Sequence, residues 1–571
     1  MSSRRIVVDP ITRIEGHLRI EVVVDDENVV QEAYSGSTLW RGLEQVVKGR
    51  DPRDVGFMLQ RICGVCTYSH YKAGIMAVED ALGITPPLNA VLVRTLMSCA
   101  LFMHDHVVHF YQLHALDFVD IVSALSADCK KASDEAFLYT RLPYATGADH
   151  LKEVQERVKG FVDKGKLGPF ANAYYSHPTY RLSPEQNLIG LSHYLECLRV
   201  QRVVAQLMAI FGAKQPHPQS LTVGGVTCIM DILNPARLGE FLTKYKEVAE
   251  FINRAYMADL VMAGRVYASE PSVVNDVGVP NLLTYKEFAL GNNEFMFDSG
   301  LILNGDLSKV YEIDESKITE EATHAWYEDE APAHPYDGST NPKYTGFVRG
   351  KTINAKGEEI EASLFDIKGK YSWIKHPSYD GLPCQVGPLA NIVVNYAKGN
   401  KYVQPAVDKF LKDTGLPLEA VLSTLGRTAA RCIEANIIAN HGLLAFNALI
   451  DNLKSGDEET CSVYKIDKDK EYKGRYMGNV PRGMLSHWCR IKNGVVENWQ
   501  AVVPSTWNAA PKDAKGQMGS YEACLIGLKI KDLTQPLEII RKIHSYDPCI
   551  ACAVHVMDFK GNELGQYKIG V

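Results

Sequence analysis

The sequence predicts an α+β fold, predominantly helical: a core bundle of long helices with small peripheral sheets and loop-rich insertions. Three observations predict it. Long segments carry helical periodicity well beyond the length of an average helix. Strand-like runs rich in Val and Ile are short and lie near the N-terminus. Between about 270 and 380 the chain turns rich in Pro, Gly, Asp and aromatic residues.

Taken in order, residues 4–8 and 18–24 read as strands. A helical pattern runs from Asn89 to about Leu125. Ser183-Pro184-Glu185-Gln186 is a capping box with Pro at the first helical position. It opens a helix over 184–211, with Leu188, Leu191, Leu195 and Leu198 on one face and Gly212 as its stop. A third helix starts at Asn234-Pro235 and runs to about Ala263. A fourth spans 418–452, with Leu422, Leu425, Ala429, Ile433 and Ile437 in register. Long helices with wide apolar faces bury them by packing together. "WYEDEAPAHPYDGSTNPKYTGF" (326–347) reads as loops and short strands laid over the bundle. No repeat, low-complexity linker or composition break divides the chain, so residues 1–555 are expected to form one unit.

Of the 571 residues, 46% are hydrophobic and 23% charged, an ordinary globular balance. A net charge of -7 argues against a nucleic-acid partner, whose phosphates demand a basic surface. No apolar run comes near the roughly 18 residues that span a bilayer; "ANIIANHGLLAFNALI" (435–450) is broken by Asn and His. Arg4-Arg5 does not make an export signal, because Asp9, Arg13 and Glu15 stand where an apolar segment belongs.

Thirteen cysteines, an odd number, do not suggest a disulfide framework. Nine are single: Cys99, Cys129, Cys197, Cys228, Cys384, Cys432, Cys461, Cys489 and Cys524. The other four form two Cys-x-x-Cys pairs, Cys63/Cys66 and Cys549/Cys552, whose first members are 486 residues apart. Each such turn aims two sulfurs at one point. A structural zinc or iron site fits the spacing within each pair, although zinc ribbons close over shorter separations. A thioredoxin-type redox pair lacks its βαβ context. The third reading has both ends of the fold converging on a catalytic metal. Spacing alone leaves zinc and catalytic metal level.

Titratable residues gather in other short segments. "RIEGH" supplies Arg13, Glu15 and His17. "MHDHVVHFYQLH" places His104, Asp105, His106, His109 and His114 in an otherwise apolar helix, with Asp105 and His109 on one face. For any one of these a satisfied core hydrogen bond is the plainer reading, but four histidines and an aspartate together are costly to bury and mark functional sites. "VPRGMLSHW" offers Arg482 after Pro481, and "AVVPSTWN" offers Ser505 and Thr506 on a short strand. Asp547-Pro548 restrains the chain where Cys549 must be aimed.

Together "RICGVC", "RIEGH", "WRGLEQVVKGRDPRD", "HDHVVHFYQLHALD", "PRGMLSHW", "VVPSTWN" and "DPCIACAVH" resemble the large, catalytic subunit of nickel–iron uptake hydrogenases. The resemblance implies heterolytic cleavage of hydrogen at a Ni–Fe centre held by Cys63, Cys66, Cys549 and Cys552. It makes Cys63 and Cys549 terminal on nickel, and Cys66 and Cys552 bridges to an iron that carries one carbon monoxide and two cyanides. Glu44, the Ala501 carbonyl and His555 match ligands of a magnesium or similar ion. Hydrogen splitting needs a soft metal and a base, and thiolates are soft donors. The resemblance gives Cys549 the proton, Glu15 its relay outward, and Arg482, flanked by Asp105 and Asp547, a place over the metal beside Pro481. Ser505 resembles the residue that bonds the second cyanide. For Arg482 a plain buried ion pair is the competing reading.

With these thiols used, no cysteine cluster remains for an iron–sulfur chain. The resemblance implies an iron–sulfur small subunit as partner, a membrane cytochrome b or quinone-linked subunit beyond it, nickel-insertion proteins and a maturation endopeptidase. It also implies a membrane-associated, periplasmic location reached with the small subunit. Residues 556–571 are then a C-terminal extension cut off after His555, the sequence being the unprocessed precursor; an ordinary terminal hairpin turning at 560–562 is the plainer reading. Hydrogen sensors of this family commonly lack such a tail. The related quinone-site subunit of respiratory complex I lacks the cysteines, and a selenium variant replaces Cys549. A zinc-stapled scaffold is the rival outside the enzymes.

Overall fold

The computed structural model describes residues 4–139, 142–274, 276, 278–291 and 293–553. The expected N-terminal strands form as β1 (Arg4–Val8) and β2 (Leu18–Val24), and β3 (Val30–Ser37) completes an antiparallel sheet in the order β1-β2-β3. Ile6 faces Val22 and Val8 faces Ile20 in register. The short helix α1 (Leu43–Val46) follows.

The bundle is built from α2 (Leu88–Val108), α3 (Pro184–Gly212), α4 (Pro235–Phe251), α5 (Met257–Tyr267), α6 (Thr424–His441) and α7 (Leu443–Lys454). Helix α2 is its axis, packing on α3, α6 and α7. The capping box forms at Ser183, and Asn234 caps α4 through its side chain.

Three helices differ from the sequence expectation. The segment expected over 89–125 leaves α-geometry after Val108, passing through a π-turn (His109–His114) and a 3-10 turn (Ala115–Asp117). Its polar side chains are drawn to separate partners there, and such wide turns concentrate at functional sites. The helix from 235 has a similar π-turn over Ile252–Tyr256. The helix expected over 418–452 is two: Ser423 caps α6 through the Gly426 N–H, and Gly442 separates α6 from α7. Two stretches, Leu88–Asp117 and Thr424–Lys454, do reach the length and apolarity of a membrane span, though the sequence reading found none. Their most apolar windows are 83% and 56% buried, as core helices are.

A second antiparallel sheet, β4 (Tyr472–Val480), β5 (Gly483–Lys492) and β6 (Val495–Val502), was not foreseen in the sequence. Its β5–β6 turn, Asn493-Gly494, has both residues at positive φ, the strongest short hairpin signal a sequence carries. Val480 pairs with Gly483, so Pro481 and Arg482 form the two-residue tip of the β4–β5 hairpin. Ser505 and Thr506 lie not on a strand but in the helix α8 (Pro504–Asn508). Pro504 has no N–H for a ladder and is preset for a first helical turn. Short two-stranded ribbons, Ile318–Glu321 with His376–Tyr379 and Val348–Ile353 with Glu359–Leu364, occupy the loop-rich stretch as expected.

The chain closes on itself through α9 (Leu537–Ser545) and α10 (Ile550–Ala553). Ile539, Ile540, Ile543 and Ile550 share one hydrophobic core with Ile6, Leu18, Ile20 and Val22 of the first sheet. Burying these side chains together sets the first and last segments of the protein side by side.

Candidate metal centre

Cys63 leaves a 3-10 turn in extended conformation, and the N–H groups of Val65 and Cys66 both donate to its sulfur at 3.3 Å. Cys549 is held by its backbone. Glu15 and Cys549 form a parallel bridge, with Glu15 N–H donating to the Pro548 carbonyl at 3.2 Å and Ile550 N–H to the Glu15 carbonyl at 2.8 Å. The Cys549 N–H donates to Ser505 Oγ at 3.0 Å. The result is a buried cluster: Cys549 Sγ lies 3.3 Å from Cys63 Sγ and 4.0 Å from Cys66 Sγ, and the three sulfurs fall within 4.8 Å of one another. Three thiols meeting at one point, none in a disulfide, are a soft donor set that fits nickel and iron. Cys552 sits in α10, one turn on, but its side chain lies outside the described residues, as does His555.

Close approach requires glycine at residue 16. Its φ is +89°, and a Cβ there would lie 2.4 Å from the Ala551 nitrogen. Arg13 and Asp547, on the two segments that meet, also hold positive φ, at 54° and 58°. Non-glycine residues persist there only where surrounding contacts impose it. Arg41 clasps both cysteine turns, donating to the carbonyls of Arg61 at 3.1 Å and Ala551 at 3.0 Å and to that of Ile62.

Glu15 reaches the sulfurs as expected. Its carboxylate accepts from Ala551 N–H at 2.9 Å and from the Cys549 thiol at 3.4 Å. Burial, then the charge of Cys63, lifts its pKa from the ordinary 4.5 to about 7, against the lowering pull of those hydrogen bonds and of Arg482. His17 of the same motif is exposed and takes no part.

Arg482 hangs from the hairpin tip between two carboxylates. Its Nη1 is 2.9 Å from Asp105, its Nη2 is 3.1 Å from Asp547, and its Nε donates to the Asp547 carbonyl at 3.1 Å. Burial opposes its charge, but Asp547, Cys549 and Asp105 hold its pKa well above the ordinary value. Burial raises the Asp547 pKa, with Arg482 and Arg431 opposing. Arg482 therefore forms the buried ion pair of the competing reading, and with Pro481, Ser505, Cys66 and Cys549 it also lines one small cavity of about 10 Å³. Gly483 permits this approach, since a Cβ there would lie 2.3 Å from Gly387 N.

Glu44 is buried and accepts from the Ala501 N–H at 2.8 Å, which brings together two of the three residues expected at a second ion. The expected Asp105–His109 contact does not form. Asp105 is taken by Arg482 and by His104, and His109 meets the His544 carbonyl at 2.7 Å. The remaining polar residues of that helix belong to other networks. His106 meets Glu434 at 2.7 Å. Asp117 accepts from His114 at 3.0 Å, from His544 at 2.7 Å and from Arg13 at 2.5 Å. With Arg13 already on Asp117 and the Thr12 carbonyl on His544, this second buried cluster is an ion network rather than a ligand set.

Sequence reading missed Arg41, His487 and Trp499 and left His70 without a role. His70 follows Cys66 by four residues and lines the same cavity, and burial pushes its pKa down to about 4. Arg41 was visible in "WRGLE" beside Glu44, and strand alternation would have put His487 on the inner face of β5.

With this geometry in place, comparison with known proteins identifies the family. A family model described as nickel-dependent hydrogenase matches residues 41–555, and a HoxL-like model matches residues 5–35. The chain is 64% identical over 567 residues to the quinone-reactive Ni/Fe-hydrogenase large chain of Wolinella succinogenes, covering 99% of this chain and 98% of that one. It is 43% identical to the uptake hydrogenase large subunit of Rhizobium leguminosarum bv. viciae, covering 100% and 98%. Among solved structures it is similar to the reduced Ni-Fe-Se hydrogenase of D. vulgaris Hildenborough, with a TM-score of 0.77 and 30% identity over 97% of this chain and 100% of that one. The chain belongs to the nickel-dependent hydrogenases, as a large, catalytic subunit of the nickel–iron enzymes that oxidise hydrogen in partnership with a small subunit.

Proposed function

We propose that Cys63, Cys66, Cys549 and Cys552 would together hold a Ni–Fe centre whose iron carries one carbon monoxide and two cyanides. The observation that carries this reading is the convergence of three buried sulfurs from opposite ends of the chain. When bound, the centre supplies a soft, electron-accepting site at which hydrogen is polarised and its electrons withdrawn. The protein's own part is acid–base chemistry. The Cys549 sulfur takes the proton and passes it to Glu15, whose carboxylate is 3.4 Å away and poised near neutrality. Arg482, fixed by Asp105 and Asp547, keeps a positive charge over the cavity, and Pro481 and the Ser505 region shape its wall. Glu44, the Ala501 carbonyl and His555 hold a magnesium or similar ion behind the centre.

Residues 1–555 act as one catalytic unit, and 556–571 are removed on maturation by an endopeptidase after nickel-insertion proteins have done their work. Electrons leave through iron–sulfur clusters in the small subunit. The likeness to a chain named quinone-reactive supports a cytochrome b or other quinone-linked partner, and with it a membrane-associated, periplasmic position and respiratory hydrogen uptake. An infrared spectrum of the purified protein, taken with its metal content, tests the centre. Metal-bound carbonyl and cyanide stretches with nickel are expected; zinc without nickel overturns the reading in favour of a stapled scaffold. Mass spectrometry of active enzyme tests the tail: the expected chain ends at His555, and an active chain ending at Val571 refutes processing.

A further inference from the structure

A buried line of three rings runs from β6 to the sulfurs, and the chemistry of its first member fixes the direction of every hydrogen bond in it. Trp499 Nε1 can only donate. It lies 3.3 Å from His487 Nδ1, so that nitrogen accepts. A neutral His487 then carries its proton on Nε2, which is 3.0 Å from His70 Nδ1. His70 accepts at Nδ1 and keeps its own proton on Nε2. The reverse arrangement would set the indole N–H against another N–H. Trp499 and His487 are 0% exposed and His70 is 1% exposed, so solvent does not reset the order. The sheet places the first two rings: His487 pairs with Ala501 in register, and Trp499 is its diagonal neighbour on the same face. The helix Ser69–Leu82, which carries His70, packs on β4 and β5.

We infer that Trp499 and His487 are positioning residues that fix which nitrogen of His70 bears its proton, so that the cavity lined by Cys66, Cys549 and Arg482 is offered an N–H donor rather than a bare nitrogen. The inference rests on the reading of these thiols as holders of the metal centre. An N–H donor beside a thiolate draws electron density from sulfur and so from the metal it binds, which carbonyl and cyanide stretching frequencies report.

The test uses the holoenzyme with His487→Gln, His487→Met and Trp499→Phe. Gln places an amide N–H near the position of His Nε2 and so keeps the donation to His70; Met keeps the bulk and removes it. All are expected to load nickel as the unaltered enzyme does. His487→Gln should keep the unaltered stretching frequencies and His487→Met should shift them. Trp499→Phe, which frees His487 to take either tautomer, should split each band, and it stands in for His487→Met if that variant does not fold. Identical spectra from the Gln and Met variants, whether unchanged or equally shifted, overturn the inference, as does an unsplit, unshifted Trp499→Phe spectrum where the Met variant does not fold. If the unaltered protein shows no such bands, it is the metal-centre reading that fails.

Discussion

Replacing Glu15 by Gln isolates the proton step. Gln keeps an acceptor for the Ala551 N–H, which now bonds Glu15 at 2.9 Å, so the segment stays docked. What disappears is a carboxyl with a pKa of about 7, 3.4 Å from the Cys549 sulfur. Near pH 7 such a group is about equally acid and base, the condition under which a relay works best. A well-placed general acid–base group contributes roughly 10²–10⁴-fold. Hydrogen uptake with an artificial electron acceptor should therefore fall at least about 100-fold, with nickel content and infrared bands unchanged. Because the carboxylate form accepts the proton, the unaltered enzyme's turnover should rise with pH through about 7, and the Gln variant should lack that limb. Glu15→Asp withdraws the carboxyl by one C–C bond, from 3.4 Å to about 5 Å. That is beyond direct hydrogen bonding, and its turnover should fall between the two. A nickel-loaded Gln variant with unaltered turnover refutes the assignment.

Arg482→Met leaves Asp105 and Asp547 buried without their shared cation, a loss of about 3–5 kcal/mol; a lower thermal midpoint and lost turnover are expected, and an unchanged midpoint counts against the ion pair's role. Glu434 is buried, and burial raises its pKa from 4.5 to about 8. The folded state thus holds a proton that the unfolded chain releases, and stability falls as pH climbs from about 4.5 to about 8, by up to about 5 kcal/mol. Glu434→Gln should be free of that fall, so the gap in thermal midpoint between variant and unaltered protein should widen from pH 5 to pH 8; a constant gap refutes it. Gly16→Ala puts a methyl 2.4 Å from the Ala551 nitrogen at a φ of +89°, so nickel per chain should drop sharply. Full nickel loading in that variant would show that the two segments need not touch so closely.

Much of this was legible in the sequence because the signals are local. The capping box at Ser183, the Asn234-Pro235 start and the Val- and Ile-rich runs of β1 and β2 each depend on a few neighbouring residues. The meeting of Cys63, Cys66 and Cys549 was legible because paired Cys-x-x-Cys turns admit few uses, and the place of Glu15 beside them because its motif carried a family resemblance. The β4–β5–β6 sheet is marked in the sequence only by its turn at Asn493-Gly494, because residues 483–489 are buried throughout and carry no polar-apolar alternation. The helix around Asp105 was misjudged in a more instructive way. Spacing put Asp105 and His109 on one face, yet each was claimed by a residue hundreds of positions away, Arg482 and His544. Periodicity gives neighbours along a helix and is silent on which distant group competes for them. The π-turn at His109–His114 and the Trp499–His487–His70 line are tertiary facts of the same kind.

The core shared by the first sheet and the last helices has a consequence for biosynthesis. Cys549, one of the three clustered sulfurs, follows Cys63 by 486 residues, so it is translated long after the strands of the first sheet. A product truncated before Leu537 exposes apolar surface of β1–β3 and lacks the Cys549 sulfur of the cluster. Covering the first sheet and assembling the cluster thus both depend on the same late segment, residues 537–553.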